Sequence, residues 1–578
     1  ANDKLFNYIF DVNIDLKADD TPQEIKHFNP HKKAPVVIYI DSIEQLKGYC
    51  QLTDVVITAR DKITYKIVCY GEIGDLFAKI DNQENEDGNP LKAELTDLDF
   101  SEFDHTYNRA TITNSWDTSI VVNNSAQSFE LGKGYVYPMI DYGFGTAVSA
   151  VPARWKTEYF KPGVYVKQYV DKIFEKAGFT YTSSFFNSEL FKGLIVPFNS
   201  EKFILTQEEV NSRLFYANRN GTEVTLGFLV HKNIPSSAQP IIFNTDSPPY
   251  FDNGNDYNTS TGKFVCDKPG YYKFYTSVTA RLKYTGTPTL TATEIPGGVV
   301  LPSVGIFVKN SGIITPVQSN NAVVFLDLPV VTNDISDYFT ITVETNNLLL
   351  ESGDEVFIAP LGLQSTLNWP EWEMLVAAGT ATWFDNSVPD AAVIEGGPVT
   401  MNSCIPSGIK QRDFIASVIK AFNLYMEPNP DKTNDFIIEP REDYYTGQAT
   451  DWTDKLDISR EFTIQPVATD TGKYKFKYAA DEDILNKSYK ELYDRTYGDF
   501  ELRTGNEFAK GETKVELIFA PTPSYKDENN PTDRVIPYIG FFDQKGEKTQ
   551  KSSKIRLLYY GGLKACDKWN FEAAGAAA

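Results

Sequence analysis

YNTSTGKFVCDKPGYYKFYTSV, from Tyr257 to Val278, lies near the middle of a 578-residue chain. Gly262 and Gly270 supply tight turns, and Tyr271 and Phe274 begin a strand after the Pro269–Gly270 punctuation. The same texture continues from about Pro235 to Leu363, where no helical period is present. Short alternating runs recur there: GKFVC, YYKFYTSVTARL, VGIFVK, AVVFLDL, YFTITVET and DEVFIAP. Clusters of Gly, Pro, Asn and Asp separate them. Period-two alternation broken by turn signals predicts an antiparallel jelly-roll β-sandwich over residues 235–364.

On either side the pattern changes. VVIYID (Val36–Asp41) and KITYKIVCYG (Lys62–Gly71) alternate as strands, with Ile63, Tyr65, Ile67 and Cys69 on one face. GEIGDLFAKI (Gly71–Ile80) reads as a short helix, followed by the acidic loop DNQENEDGNP (Asp81–Pro90). Within Lys161–Ser183, Val166, Val170, Ile173, Phe174 and Ala177 recur at helical spacing, Gly178 supplies a left-handed cap, and FTYTS resumes as a strand. Downstream, Ile415, Val418, Ile419 and Phe422 make the apolar stripe of a second helix, and Asn423 takes the capping place.

Aligned, VDKIFEKAGFTY and IASVIKAFNLYM match in pattern. Val170 pairs with Ile415, Ile173 with Val418, Phe174 with Ile419, Gly178 with Asn423 and Phe179 with Leu424. Gly and Asn are the residues that most readily adopt a left-handed cap. One helix-then-strand unit therefore occurs twice. Beyond Pro440, KYKFKYAA (Lys473–Ala480), KVELIFAPT and KIRLLYYGG read as strands and DEDILNKSYKELYDRTYG as a helix.

Composition excludes several classes. The formal charge is −23, and residues 1–120 alone hold 22 acidic against 12 basic residues. Direct nucleic-acid binding needs Lys and Arg to displace counterions, so the chain is a poor candidate for it; the acidity fits simple solubility, or a channel wall with DNA only as passing cargo. No run of eighteen apolar residues predicts a membrane span, and no signal peptide is visible. The five cysteines, Cys50, Cys69, Cys266, Cys404 and Cys566, form no CxxC and indicate neither a disulfide framework nor a zinc site. They read as small buried hydrophobes.

Catalytic patterns are not in evidence. There is no GxSxG, HExxH, P-loop or dinucleotide fingerprint. His27, His31, His105 and His231 are too scattered for a Ser-His-Asp triad, and Pro30 breaks any helical His27–His31 pair. The turns DGNP and NDISD do not fit an EF-hand loop and read as solvated turns. No catalytic, cofactor-binding or metal residue is singled out, no cofactor is expected, and the chain is not expected to be an enzyme.

Two resemblances add to this reading. The central region resembles the jelly roll of the complement and tumour-necrosis-factor superfamily, on Phe243, Tyr257–Asn258, Thr261–Gly262, Phe264, Pro269–Gly270–Tyr271, Phe274 and LLLESGDEVFI (Leu348–Ile358), with Gly353–Asp354 and Val356. That resemblance implies a trimeric knob that binds rather than catalyses. The flanks are similar to proteins of Bacteroidetes-infecting phages, on IYIDSIEQLKGYCQL (Ile38–Leu52), LTDLDFSEFDHTYN (Leu95–Asn108), YPMIDYG (Tyr137–Gly143) and the helix ending KAGFTYTSSFF. RDFIASVIKAFNLYMEPNPD resembles helix-to-strand segments of phage tail-hub and baseplate proteins. Such hubs carry two related tube-like barrels, so that a trimer presents six barrels to a hexameric tail tube. A jelly roll between the halves departs from the usual hub layout.

The expected architecture is mainly β with some α. It has a first tube-like β-barrel domain at 1–120, a helix-containing linking domain at 121–234, the jelly roll at 235–364, a connector at 365–408 and a second tube-like domain with a helix at 409–570. The expected function is a structural component of a phage tail hub or baseplate, assembled in the host cytoplasm and resident in the virion. It would form a homo-oligomer, either a trimer or a ring of three-fold or six-fold symmetry, with an acidic channel and other tail proteins as partners. The alternative is a tail fibre or adhesin recognising host surface glycan through the jelly roll. Exposed Trp or Tyr would favour that alternative; Pro235–Leu363 contains no Trp, and Trp369 and Trp372 lie just beyond.

Overall fold

The computed structural model describes residues 33–40, 43–58, 62–84, 88–117, 130–143, 153–227, 239–287, 289–293, 295–364, 372–445, 451, 459, 461, 463, 471–526, 535–562 and 569–572. It is mainly β, and among the described residues the α-helices lie in the flanks of a central jelly roll.

The first flank opens with a three-stranded antiparallel sheet, β1 (Ala34–Ile40), β2 (Ile43–Thr58) and β3 (Lys62–Gly71). Helix α1 (Glu72–Asp81) follows and buries Leu76 and Ile80. Helix α2 (Val166–Ala177) buries Val166, Tyr169, Val170, Ile173, Phe174 and Ala177, the stripe expected from spacing. Gly178 ends it at φ 74°, ψ 30°, a left-handed cap, and β4 (Thr180–Thr182) continues the chain.

The jelly roll packs two sheets face to face around one core. Its strands include β5 (Phe215–Arg219), β6 (Val224–Gly227), β7 (Phe251–Asp252), β8 (Tyr257–Asn258), β9 (Lys263–Val265), β10 (Gly270–Tyr284), β11 (Val299–Asn310), β12 (Ile313–Asn321), β13 (Phe339–Glu344), β14 (Leu348–Leu350), β15 (Glu355–Gln364), β16 (Trp372–Val376) and β17 (Gly379–Ser387). One sheet runs β6–β16–β10–β17–β5–β7, with β13 and β14 also on β10. The other runs β8–β9–β15–β11–β12. Phe215 stacks on Tyr257 with centroids 5.0 Å apart and meets Phe384 edge-on at 4.9 Å, and Phe264 and Phe274 close the same buried cluster. The two glycines of Tyr257–Val278 are required by close approaches. At Gly262 (φ 69°) a Cβ would come within 2.7 Å of the Ile241 carbonyl, and at Gly270 one would come within 2.8 Å of the Arg213 guanidinium. Arg213 donates to the carbonyls of Lys268 and Pro269 at 2.9 and 2.8 Å, pinning the Pro269–Gly270 turn.

This fold is larger than the 235–364 expected from alternation. Residues 215–227, assigned from sequence to the linking domain, and 372–387, assigned to the connector, supply strands of its larger sheet. Phe215, Leu226, Trp372, Met374, Val376 and Phe384 all enter its core. Strands β5, β6 and β16 are four or five residues long and are broken off by Asn220–Gly221 and Ala377–Ala378–Gly379, too short for a period to register. Trp372 packs in that core, 5.0 Å from the Tyr284 ring; Trp369 lies outside the described residues.

The second flank holds α3 (Gln411–Phe422), β18 (Leu424–Pro428), β19 (Asp435–Pro440), β20 (Thr471–Lys477), α4 (Ile484–Tyr493), β21 (Phe500–Arg503) and β22 (Gly511–Glu516). Asn423 caps α3 at φ 50°, ψ 50°, left-handed like Gly178. Both members of the repeated unit are therefore a twelve-residue helix, a left-handed cap and a strand. They do not sit in separate units. Strands β18 and β4 flank β19 in one sheet, and the rings of Tyr169 and Phe414 lie 5.3 Å apart. Buried residues of both flanks form a single core, and the described flanking sheets have two to four strands and trace no closed barrel. The jelly roll is thus an insertion between two halves of one body. At the far end Arg556, fully buried, bonds Asp483 at 2.8 Å, Asp481 and the Pro521 carbonyl, fastening the start of α4 to that body.

Candidate functional site

Alternation along the larger jelly-roll sheet sends Phe215, Ala217, Phe274, Val278 and Phe384 inward. The residues between them make an outer face. Register places Glu344 (β13), Tyr275 (β10), Asp385 (β17), Tyr216 (β5) and Phe251 (β7) in one row across five strands. Trp383, two residues before Asp385, shares that face. The Tyr216 ring lies 5.0 Å from Tyr250, 6.3 Å from Phe251 and 6.0 Å from Trp383. Phe251 is 39% exposed, and Tyr216, Tyr250, Tyr275 and Trp383 are half-buried. Lys273 pairs with Glu344 and sits 5.2 Å from the Tyr275 ring centre.

Asp385 is the chemically distinctive member. Burial among these rings pushes its carboxyl up to about 7. Its Oδ1 meets no donor among the described residues. Tyr216 is raised too, first by burial, then by Tyr250 and Asp385. A proton-accepting oxygen framed by aromatic faces can do two things. It can receive hydroxyl donors from a ligand whose apolar edges stack on the rings, or it can be covered by a second protein surface carrying a donor.

Two other sheets leave apolar side chains exposed among the described residues. The β1–β3 sheet exposes Val37, Ile38, Tyr39 and Ile40 on one strand and Val56, Ile67, Val68 and Tyr70 on the others. The sheet β21–β20–β22 is two-sided. One face is laced by Lys473–Glu501 and Lys475–Glu512 ion pairs at 2.7 Å, while the other exposes Phe476, Phe500 and Leu502.

The residues weighed from sequence fall elsewhere. His105 is a core histidine: Nδ1 meets the Phe103 carbonyl and Nε2 the Tyr137 hydroxyl, both at 2.7 Å, and burial pushes its pKa down to about 4. His27, His31 and His231 lie outside the described residues. In NDISD, Asp334 accepts the Val331 amide at 2.7 Å and serves as a turn cap. Of the cysteines, Cys50, Cys266 and Cys404 are buried and Cys69 is half-buried. No helix among the described residues is long and apolar enough to cross a membrane. The Tyr216–Trp383–Asp385 face was missed because its residues lie outside the run where alternation is continuous. An available signal was TATWFDN, Thr380–Asn386, which alternates with Trp383 and Asp385 on one side.

Comparison with known proteins agrees with the central fold. Residues 226–327 match the C1q domain family. The chain carries a C1q/TNF-like jelly-roll domain. Among solved structures it is similar to the globular domain of zebrafish complement 1qA, at 16% identity over 31% of this chain and 98% of that one, with a TM-score of 0.18. It is also similar to Eiger TNF from S. frugiperda, at 10% identity over 31% of this chain and 93% of that one, with a TM-score of 0.21. No curated protein matches the chain.

Proposed function

We propose that the chain is a structural component of a phage tail hub or baseplate that acts by assembly and binding rather than catalysis. The observation that supports this best is the insertion itself: a C1q-like domain, of a kind that trimerises, set between two matched helix–cap–strand halves that close into one body. Three copies would place three bodies around one axis, with the jelly rolls projecting. The exposed apolar side chains of the β1–β3 and β21–β20–β22 sheets are the surfaces that neighbouring copies and other tail proteins would cover, because exposed edges and apolar faces otherwise invite aggregation. The acidic balance suits a channel wall that DNA passes without adhering. Electron microscopy of the purified full chain, with its mass in solution, tests this. A three-fold or six-fold ring with a central pore is expected; an isolated monomer at micromolar concentration would overturn it.

A second reading is favoured by one observation, the half-exposed Tyr216–Trp383 pair beside Asp385. Aromatic faces with an adjacent acceptor suit a sugar, so the jelly roll would grip host surface glycan. Binding of the full chain to immobilised host polysaccharide, lost in Trp383→Ala, tests it.

A further inference from the structure

Cys50 and Cys69 are direct partners across the antiparallel pair β2–β3. Directly opposed residues in such a pair have Cα atoms about 4.5 or 5.5 Å apart, depending on the hydrogen-bonding pattern, and side chains on the same face. A disulfide spans Cα separations of about 4.4–6.8 Å. Register alone therefore brings the two sulfurs within bonding reach without moving the backbone. The neighbouring pair fixes that register: Tyr49 stacks on Tyr70, centroids 5.0 Å apart and planes 20° apart. On the other side of β2, Ala34 of β1 continues the row opposite Cys50 and leaves it room. The thiols differ in access, Cys50 being buried and Cys69 half-buried. Burial, and then the proximity of Cys69, push the Cys50 thiol up.

We propose that Cys50 and Cys69 form a dithiol site that closes to a disulfide by exchange with a low-molecular-weight disulfide, stapling β2 to β3. Cys69, the accessible partner, attacks as thiolate one sulfur of the small disulfide. One small thiolate leaves and a mixed disulfide remains on Cys69. Cys50 then loses its proton and attacks Cys69 Sγ, and the second small thiolate leaves. The protein gives up two protons and two electrons; the small disulfide accepts both and becomes two thiols. The staple locks the sheet that exposes Val37, Tyr39, Ile67 and Tyr70, a surface offered above for assembly.

The test exposes the native full chain to oxidised glutathione and reads intact mass and peptide maps. The expected product lacks two hydrogens, carries no glutathione and yields one linked peptide joining Cys50 to Cys69. Cys50→Ser should stop at the mixed disulfide on Cys69. Phenylarsine oxide, which needs two facing thiols, should bind the reduced wild-type chain once and neither serine variant. The wild-type readings stand even where a variant misfolds. Accumulation of glutathione adducts on the wild type, linkage of either cysteine elsewhere, or failure to bind the arsenical would overturn the proposal.

Discussion

The Thr180 hydroxyl donates to Asp435 Oδ1 at 2.6 Å, joining strands that stand 255 residues apart in sequence. Thr182 donates to Oδ2 at 3.0 Å and Asn429 at 2.7 Å. The contact is where the first helix–cap–strand half meets the second, with the jelly roll looped out between them. Burial would raise the Asp435 carboxyl, but these three donors outweigh it and hold it below the usual carboxylate range. A carboxylate whose folded pKa is depressed stabilises the fold above its unfolded value and loses that contribution as pH falls through the folded one. Asp435→Ala should therefore destabilise the flanking body by about 2–3 kcal/mol at pH 7, leaving three donors unmet. The deficit should shrink below about pH 4, where the unfolded carboxyl protonates. Urea unfolding at the two pH values checks this. An unchanged deficit would mean the donors, not the charge, carry the contact.

The two caps give a sharper comparison. Gly178 and Asn423 hold the same left-handed conformation at equivalent places. Gly178→Ala should cost about 1–2 kcal/mol, since a Cβ is disfavoured there. No atom stands within 4 Å of the added methyl, so the cost is conformational rather than steric. Asn423→Gly should be nearly neutral. Thermal unfolding of both variants measures the difference.

These caps also show what was legible in the chain. Helix stripes, Gly178 and Asn423 were readable because they depend on residues within one or two turns. The jelly roll from Tyr257 to Leu350 was readable for the same reason, each strand being bounded by its own turn. What escaped depended on distance. Strands β5, β6, β16 and β17 join the larger sheet only through partners far away in sequence; the alternation of TATWFDN marks β17 as a strand but does not say which sheet it enters. Likewise the matched halves were readable as a repeat, but their closure into one core rests on Asp435, Phe436 and Phe414 meeting the first half across the insertion. The aromatic row at Tyr216, Asp385 and Phe251 exists only once register is set.

Arg556 makes the strongest case for a buried ion cluster. Its guanidinium is fully buried between Asp481 and Asp483. Arg556→Met leaves two carboxylates buried without their cation and should destabilise by about 3–5 kcal/mol. Replacing all three with apolar residues of similar volume should cost much less, because no lone charge remains. Denaturant titration of the single and triple variants distinguishes pairing from packing.

Asp385 titrates in the opposite sense to Asp435. Its folded pKa, about 7, lies above the reference 3.8, so the folded state holds the proton more tightly than the unfolded chain. Stability of the jelly roll should be highest below about pH 4 and fall as pH rises toward 7, where the folded carboxyl ionises against its buried surroundings. Asp385→Asn removes that ionisation and should flatten the profile, raising Tm at pH 8 by about 2–4 °C. Calorimetry between pH 4 and 8 reads it directly; a wild-type profile already flat over that range would contradict the assignment.

Trp383 separates the two functional readings on the same face. If the outer aromatic row is covered by a neighbouring copy, Trp383→Ala removes a large apolar anchor at the centre of that contact. The mass in solution should then drop toward the monomer, and polysaccharide binding should be unaffected or absent in both proteins. If the row is a glycan platform, the variant should keep its oligomeric mass and lose polysaccharide binding instead, since ring stacking is what holds the sugar's apolar edges. The two readings also differ in their pH response. A sugar bound through the Asp385 carboxylate should weaken below about pH 7 as that oxygen takes its proton. An apolar subunit contact should tighten over the same range, because the buried charge disappears. Sedimentation and polysaccharide binding of wild type and Trp383→Ala at pH 5 and pH 8 thus assign the face to one role, and a variant unchanged in both measurements would remove Trp383 from either.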